Sequence, residues 1–152
     1  MPELISNLSG DVYILLQDEV LRTLETHRQL HSSQVESGGI LIGEYRGEDI
    51  NVVTATKPSF GDIQSRFRFF RRSLTHQQIA LRTWRDSDST RTFIGDWHTH
   101  AEDHPSPSII DTADWSKKLP NRNMIVIIQG RVTRWYGFWD GEKLTQAKLV
   151  KC

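Results

Sequence analysis

The run His98-Thr99-His100, followed after seven residues by Ser108-Ile109-Ile110-Asp111, constrains the fold more than any other part of this chain. Along a strand, side chains at i and i+2 share a face. A strand read over Thr92 to His98 and continued through His100 therefore turns both imidazoles to one spot and Thr99 away from it. Pro105 and Pro107 stiffen the loop that follows. A helix read over Ser108 to Lys118 begins just beyond them. Any fold that uses these side chains together must bring a strand end and a helix start to one place. A His-Glu-x-x-His motif differs, because one helix supplies both imidazoles at i and i+4.

Two imidazoles and a carboxylate can hold one zinc ion and leave a coordination position for water. The same His-x-His also fits two ordinary, half-exposed strand histidines. Ser108-x-x-Asp111 ahead of an apolar stretch has the form of a helix capping box, with Asp in place of Glu. Both readings of Asp111 can be partly true, because each places Ser108 and Asp111 at a helix N-terminus, but they differ in aim. A ligand faces the metal instead of the Ser108 backbone amide, whereas a cap faces that amide. Far upstream, Glu36 stands before Gly38-Gly39, where the missing side chains let backbone approach closely. A carboxylate there is either solvated or within reach of a proton on the water.

The rest of the chain fits one modest globular unit. Its 152 residues suffice for a core without disulfides, and its one cysteine, Cys152, excludes an intrachain bridge. Nineteen basic and nineteen acidic side chains cancel, which gives no reason to expect nucleic acid or an anionic membrane as partner. Arg66, Arg68, Arg71 and Arg72 form a local basic patch. The start, Met1-Pro2-Glu3-Leu4, does not resemble a signal peptide. No apolar stretch approaches the roughly 20 residues needed to span a bilayer. A cytoplasmic, soluble protein is expected.

Apolar periodicity predicts a strand, or the approach to a helix, over 11–16 and a helix from Asp18 to about His31, with Val20, Leu21, Leu24 and Leu30 on its inner side. Strands are predicted at Ile40–Gly43 and from Ile50 to about Lys57, closed by Pro58. Residues 59–72 read as a loop followed by a short strand, and Leu74 to Arg85 as a second helix. Further strands are predicted at Met124–Ile128, Arg131–Trp139 and Lys143–Val150, the last two joined by an Asp140-Gly141 hairpin turn. The expected class is α+β, with residues 1–152 in a single domain.

Glu36, then His98-x-His100, seven residues, Ser108, two residues and Asp111 resembles the signature of the JAMM (MPN+) zinc metalloproteases. All five positions match at the family spacing. Their surroundings are similar too, in Glu36-Ser37-Gly38-Gly39-Ile40-Leu41-Ile42-Gly43, Gly95-Asp96-Trp97-His98 and His104-Pro105-Ser106-Pro107-Ser108. Within that family the chain looks most like the bacterial deconjugating peptidases of type II CBASS anti-phage operons. Ala101 departs from the Pro that many relatives carry after the second histidine, which bears on loop geometry and not on a ligand.

The resemblance implies a mixed, curved sheet flanked by helices in a cytidine-deaminase-like α-β-α arrangement. It implies one Zn²⁺ per chain on His98, His100 and Asp111, Glu36 as general base and acid, and Ser108 as donor to the oxyanion. The implied reaction is cleavage of the amide bond after the C-terminus of a ubiquitin-like modifier or a cGAS-like nucleotidyltransferase, attached to targets by an E1–E2-like enzyme. Trp97, Phe67, Phe69 and Phe70 are candidates for gripping the extended tail, with core packing as the alternative for each. Three other outcomes remain open at this point. These are a JAMM protease that processes a ubiquitin-like or sulfur-carrier protein, a non-catalytic MPN scaffold, and the DNA-repair-associated branch. The last usually has Asn where this chain has Thr99.

Overall fold

Six consecutive buried residues, Met124–Gln129, need a strand covered on both faces. The alternation of that strand divides the interior in two. Ile125 and Ile127 point into the larger core, with Ile5, Ile14, Leu16, Leu41, Val52, Ile94 and Trp97. Met124, Val126 and Ile128 point to the other side, against Trp115, Leu119 and Trp139.

The computed structural model describes residues 1–31, 34–58, 63–64, 69–70 and 75–150. In chain order these form β1 (Glu3–Ser6), β2 (Tyr13–Leu16), α1 (Asp18–Thr26), β3 (Gly38–Arg46), β4 (Asp49–Ala55), β5 (Ile63–Gln64), β6 (Phe69–Phe70) and α2 (Thr75–Asp86). Then come β7 (Arg91–Thr99), α3 (Ile109–Lys118), β8 (Met124–Gln129), β9 (Arg134–Trp139), β10 (Leu144–Gln146) and β11 (Lys148–Leu149). Nine strands join in the order β10-β9-β8-β7-β3-β4-β2-β1-β11, and β5 pairs with β6 apart from them. The sheet is mixed: β2–β4 and β7–β8 run parallel, and the other pairs antiparallel. A parallel pair needs a crossover, and α3 makes the one between β7 and β8. α1 lends Val20, Leu21 and Leu24 to the larger core, while α3 lends Trp115 to the smaller, so these helices cover opposite faces. The expected α+β class, with a mixed sheet and helices, is what the chain adopts.

Three expectations need correction. The first helix stops at Thr26, short of His31. Its last carbonyls are taken by local donors: the His27 and Arg28 amides bond Leu24 O and Glu25 O, and the Arg28 Nε bonds Glu25 O. Leu30 then lies exposed instead of on the helix's inner face. The strand predicted over Lys143–Val150 is broken at Ala147, so that β10 pairs with β9 while β11 crosses to β1. β1 itself had no sequence signal. The basic patch at Arg66, Arg68, Arg71 and Arg72 lies outside the described residues, as does Cys152.

The crossing at Ala147 brings the two ends of the sheet together. Arg134 of β9 reaches Glu3 of β1 at 3.4 Å and Glu25 of α1 at 2.9 Å. The Tyr136 hydroxyl hydrogen-bonds Glu3 as well. One chain segment thus joins the sheet's two ends, with β10 on β9 and β11 on β1. Among the described residues no helix is long and apolar enough to cross a membrane.

Gly95 sits where β7 passes β8 so closely that a Cβ would overlap the Ile125 carbonyl oxygen. Gly95→Ala is expected to destabilise the protein by about 1–3 kcal/mol, by the usual cost of overpacking a core. Urea unfolding would show it as a lower midpoint at unchanged slope.

Candidate metal centre

β7 carries His98 on its outer face and Trp97 and Thr99 on its inner face, and His100 follows directly after its last residue. Gly38 of β3 stands opposite His98, and Ile128 of β8 stands on its other side. The His100 amide bonds Gln129 O, so β8 holds the chain for one residue beyond the strand's end. The two imidazoles tilt together with centroids 5.0 Å apart and Nε2 atoms 3.2 Å apart. The expected convergence at i and i+2 is present.

The loop after His100 leads to α3, whose N-cap is Ser108. Ser108 Oγ accepts from the Asp111 amide at 3.0 Å, and Asp111 Oδ2 accepts from the Ser108 amide at 2.9 Å, which completes the capping box. The same carboxylate faces both histidines. Oδ1 lies 3.3 Å from His98 Nε2, and Oδ2 lies 3.1 Å from His100 Nε2. The two readings of Asp111 hold together here. A carboxylate has enough lone pairs to accept from a backbone amide and still present itself to a cation.

The spacing fits a small tetrahedral ion. Donors about 2.0–2.2 Å from a tetrahedral centre lie about 3.3 Å or slightly more from one another. The two Nε2 atoms are 3.2 Å apart, and each lies 3.1–3.3 Å from a different oxygen of the Asp111 carboxylate. Glu36, 3% exposed just before β3, puts Oε1 4.0 Å from His98 Nε2. Glu36, His98 and His100 each bring one ligand atom within 4.8 Å of the others. Asp111 is thus nearer the imidazoles than Glu36, which stands one step back.

The electrostatics also favour a cation. Burial opposes ionisation of Asp111, yet hydrogen bonds from His100 and His98 hold its carboxyl well below the usual carboxylate range. Burial likewise opposes a charged His100, but the Asp111 and Glu102 carboxylates raise it above the ordinary imidazole value. Three carboxylates around two imidazoles leave this pocket short of positive charge, which protons or a divalent ion can supply.

Sequence reasoning missed two sets of supporting contacts. Glu102 Oε1 takes the Nδ1 side of His100 at 2.8 Å, which leaves Nε2 as the lone-pair nitrogen of a neutral ring. A carboxylate two residues past the second histidine was the available signal. Behind His98, the Trp115 ring lies 5.6 Å away and stacks in turn on Trp135 at 6.1 Å. Helical and strand spacing show these indoles only as apolar.

The candidates for gripping a tail fare differently. Trp97 is 1% exposed in the larger core, with its indole N–H on Thr56 O at 2.9 Å, so it offers no surface to a substrate. Its place next to His98 on a strand requires the opposite face. Phe67 lies outside the described residues, and of Phe69 and Phe70 only the backbone, in β6, is described.

Residues 18–140 match the profile of the prokaryotic homologs of the JAB domain. A protein of Vibrio cholerae serotype O1 named CD-NTase/cGAS isopeptidase is 35% identical over 150 residues, 98% of this chain and 96% of that protein. One of the same name from Escherichia coli strain TW11681 is 35% identical over 138 residues, 90% of this chain and 88% of that one. The solution structure of protein DSY2949 from Desulfitobacterium hafniense superposes with a TM-score of 0.60 over 86% of each chain at 18% identity, a likeness of fold. With the histidine pair, the capped aspartate and the upstream glutamate converging as they do, and with this match over most of its length, the chain belongs to the prokaryotic JAB-domain family.

Proposed function

We propose that this chain is a zinc-dependent isopeptidase that removes a conjugated protein by cutting the amide bond after the conjugate's C-terminus. The modifier in this reading is a cGAS-like nucleotidyltransferase of an anti-phage (CBASS) system, conjugated by an E1–E2-like enzyme in the bacterial cytoplasm. The observation that carries it is the convergence of Asp111 with both imidazoles, with Glu36 a further step away. The names of the relatives from Vibrio cholerae and Escherichia coli support the substrate class. Residues 1–152 act as one JAMM domain in this reading, with α1 and α3 on opposite faces as the outer layers of a cytidine-deaminase-like arrangement.

His98, His100 and Asp111 would hold the zinc, with Glu102 fixing the His100 tautomer. Bound there, zinc would act as a Lewis acid and bring the pKa of its water towards about 7. The residues then divide the proton work. The Glu36 carboxylate takes a proton from the water that adds to the carbonyl carbon and delivers it to the amine as the C–N bond breaks. Ser108 donates its hydroxyl proton to the carbonyl oxygen as charge develops there. This is compatible with capping, because the Asp111 amide uses Ser108 Oγ as an acceptor and leaves the O–H as donor.

The test is a fusion of a cGAS-like nucleotidyltransferase to a reporter at its C-terminus. Wild-type protein should release the reporter and a chelator should stop it. Glu36→Gln should keep its zinc and lower kcat by about 10² or more. Full activity in that variant rules out Glu36 as the base. His98→Ala and Asp111→Ala should lose the metal by elemental analysis, and a variant that retains it means the ligands are misassigned. Ser108→Ala should slow turnover by about 10² to 10³ and cost roughly 1 kcal/mol of stability through the lost cap. A stability loss at unchanged rate would leave Ser108 a cap alone. No release by zinc-loaded wild type would move the substrate to a ubiquitin-like or sulfur-carrier protein, and no zinc at all would favour the scaffold.

A further inference from the structure

Thr99 stands between the two histidines, fully buried, and its side chain points away from them. Its amide donates to Ser37 O at 2.9 Å. In a regular antiparallel pair the Ser37 amide would return the bond to the Thr99 carbonyl. Here the Ser37 amide donates to Thr99 Oγ1 instead, at 2.9 Å. The hydroxyl thus holds the chain at the residue after Glu36, just ahead of β3. Having accepted one bond, Thr99 Oγ1 has one proton to give, and it goes to Gln29 Oε1 at 2.9 Å. Gln29, also fully buried, passes its amide Nε2 on to Gln34 O at 3.2 Å.

The segment carrying Glu36 is therefore held at both ends. Thr99 grips it at Ser37, Gln29 grips it at Gln34, and the two gripping side chains are bonded to each other. We propose that Thr99 and Gln29 are positioning residues that set the distance of the Glu36 carboxylate from the histidine pair. The assignment rests on the hydrolase reading above for its catalytic meaning. Two physical points favour it over simple core filling. A buried hydroxyl and amide cost more than apolar side chains unless every bond is made, and a reacting group displaced by about 1 Å can lose 10²-fold in rate. Thr99 belongs to the strand that presents His98 and His100, so the clamp ties the base to the same rigid element as the proposed ligands.

The test compares Thr99→Val, which keeps shape and removes the hydroxyl, with Thr99→Ser, which keeps the hydroxyl. The full chain is used, with zinc content, amide exchange at Ser37 and kinetics on the reporter fusion as readouts. Thr99→Val is expected to hold zinc like wild type, keep KM within about twofold and lose about 10- to 100-fold in kcat, as supporting-residue changes typically do. Its Ser37 amide should exchange faster, while Thr99→Ser should recover most of both. Gln29→Met should behave like Thr99→Val, and the double variant should be no slower than either alone. Thr99→Val at wild-type kcat, or Thr99→Ser as slow as Thr99→Val, overturns the proposal, and so does loss of zinc in Thr99→Val. If Thr99→Val does not fold, Gln29→Met carries the comparison with the same readings. If zinc-loaded wild type releases no reporter, the hydrolase reading fails by itself. The clamp is then judged at Ser37, where unchanged protection in Thr99→Val overturns it.

Discussion

One carboxylate joins the parts of this molecule that matter for its site. Asp111 accepts from the Ser108 amide and so fixes where α3 begins, while its oxygens lie 3.3 and 3.1 Å from the two imidazoles of β7. Helix start and strand end are thereby locked to each other through a single side chain. Its acidity is part of the arrangement. Burial alone would favour the neutral acid, and the imidazoles reverse that preference. Without ionised Asp111 the helix would lose a cap and the two histidines the carboxylate that lies within 3.3 Å of both.

The scaffold makes that lock rigid. β7 lies between β3 and β8 with both ladders made, and the loop after His100 is pinned to the β8–β9 turn. There the Arg131 amide bonds Glu102 O, and the Val132 and Thr133 amides bond Asp103 O. Arg131 adds an ion pair to Asp103 at 3.0 Å. The absence of Pro at position 101 bears on loop stiffness, and these bonds supply stiffness by another route. They also bring Glu102 to His100.

The proposed site was legible in the sequence because its spacing is short and periodic. His98 and His100 need only strand alternation, and Ser108 and Asp111 only one helical turn. Glu36 had only the weak local signal of Gly38-Gly39 beyond it and drew its weight from the family pattern. What stayed hidden depends on pairs far apart in the chain. Gln29 meets Thr99 across 70 residues, and β11 meets β1 across nearly the whole described chain. The division of the last strand at Ala147 shows only in its pairing, with β10 on β9 and β11 on β1. For Trp97 the sequence left a grip on substrate and core packing both open, and alternation with His98 favours the core, where it lies.

The crossing at Ala147 has a consequence for the order in which the chain assembles. Pairing β11 with β1 joins Ile5 to Leu149, a contact between nearly the two ends of the described chain, and the entropy of closing so long a loop must be met before the pairing returns anything. The segment from β7 through α3 to β8 needs only neighbours within a few tens of residues. Chain entropy therefore favours building the histidine-bearing strand and its capped helix first and sealing the sheet last. On that order the donor cluster can take shape while the far edge is still open, and the final strand acts as a latch on a site already formed.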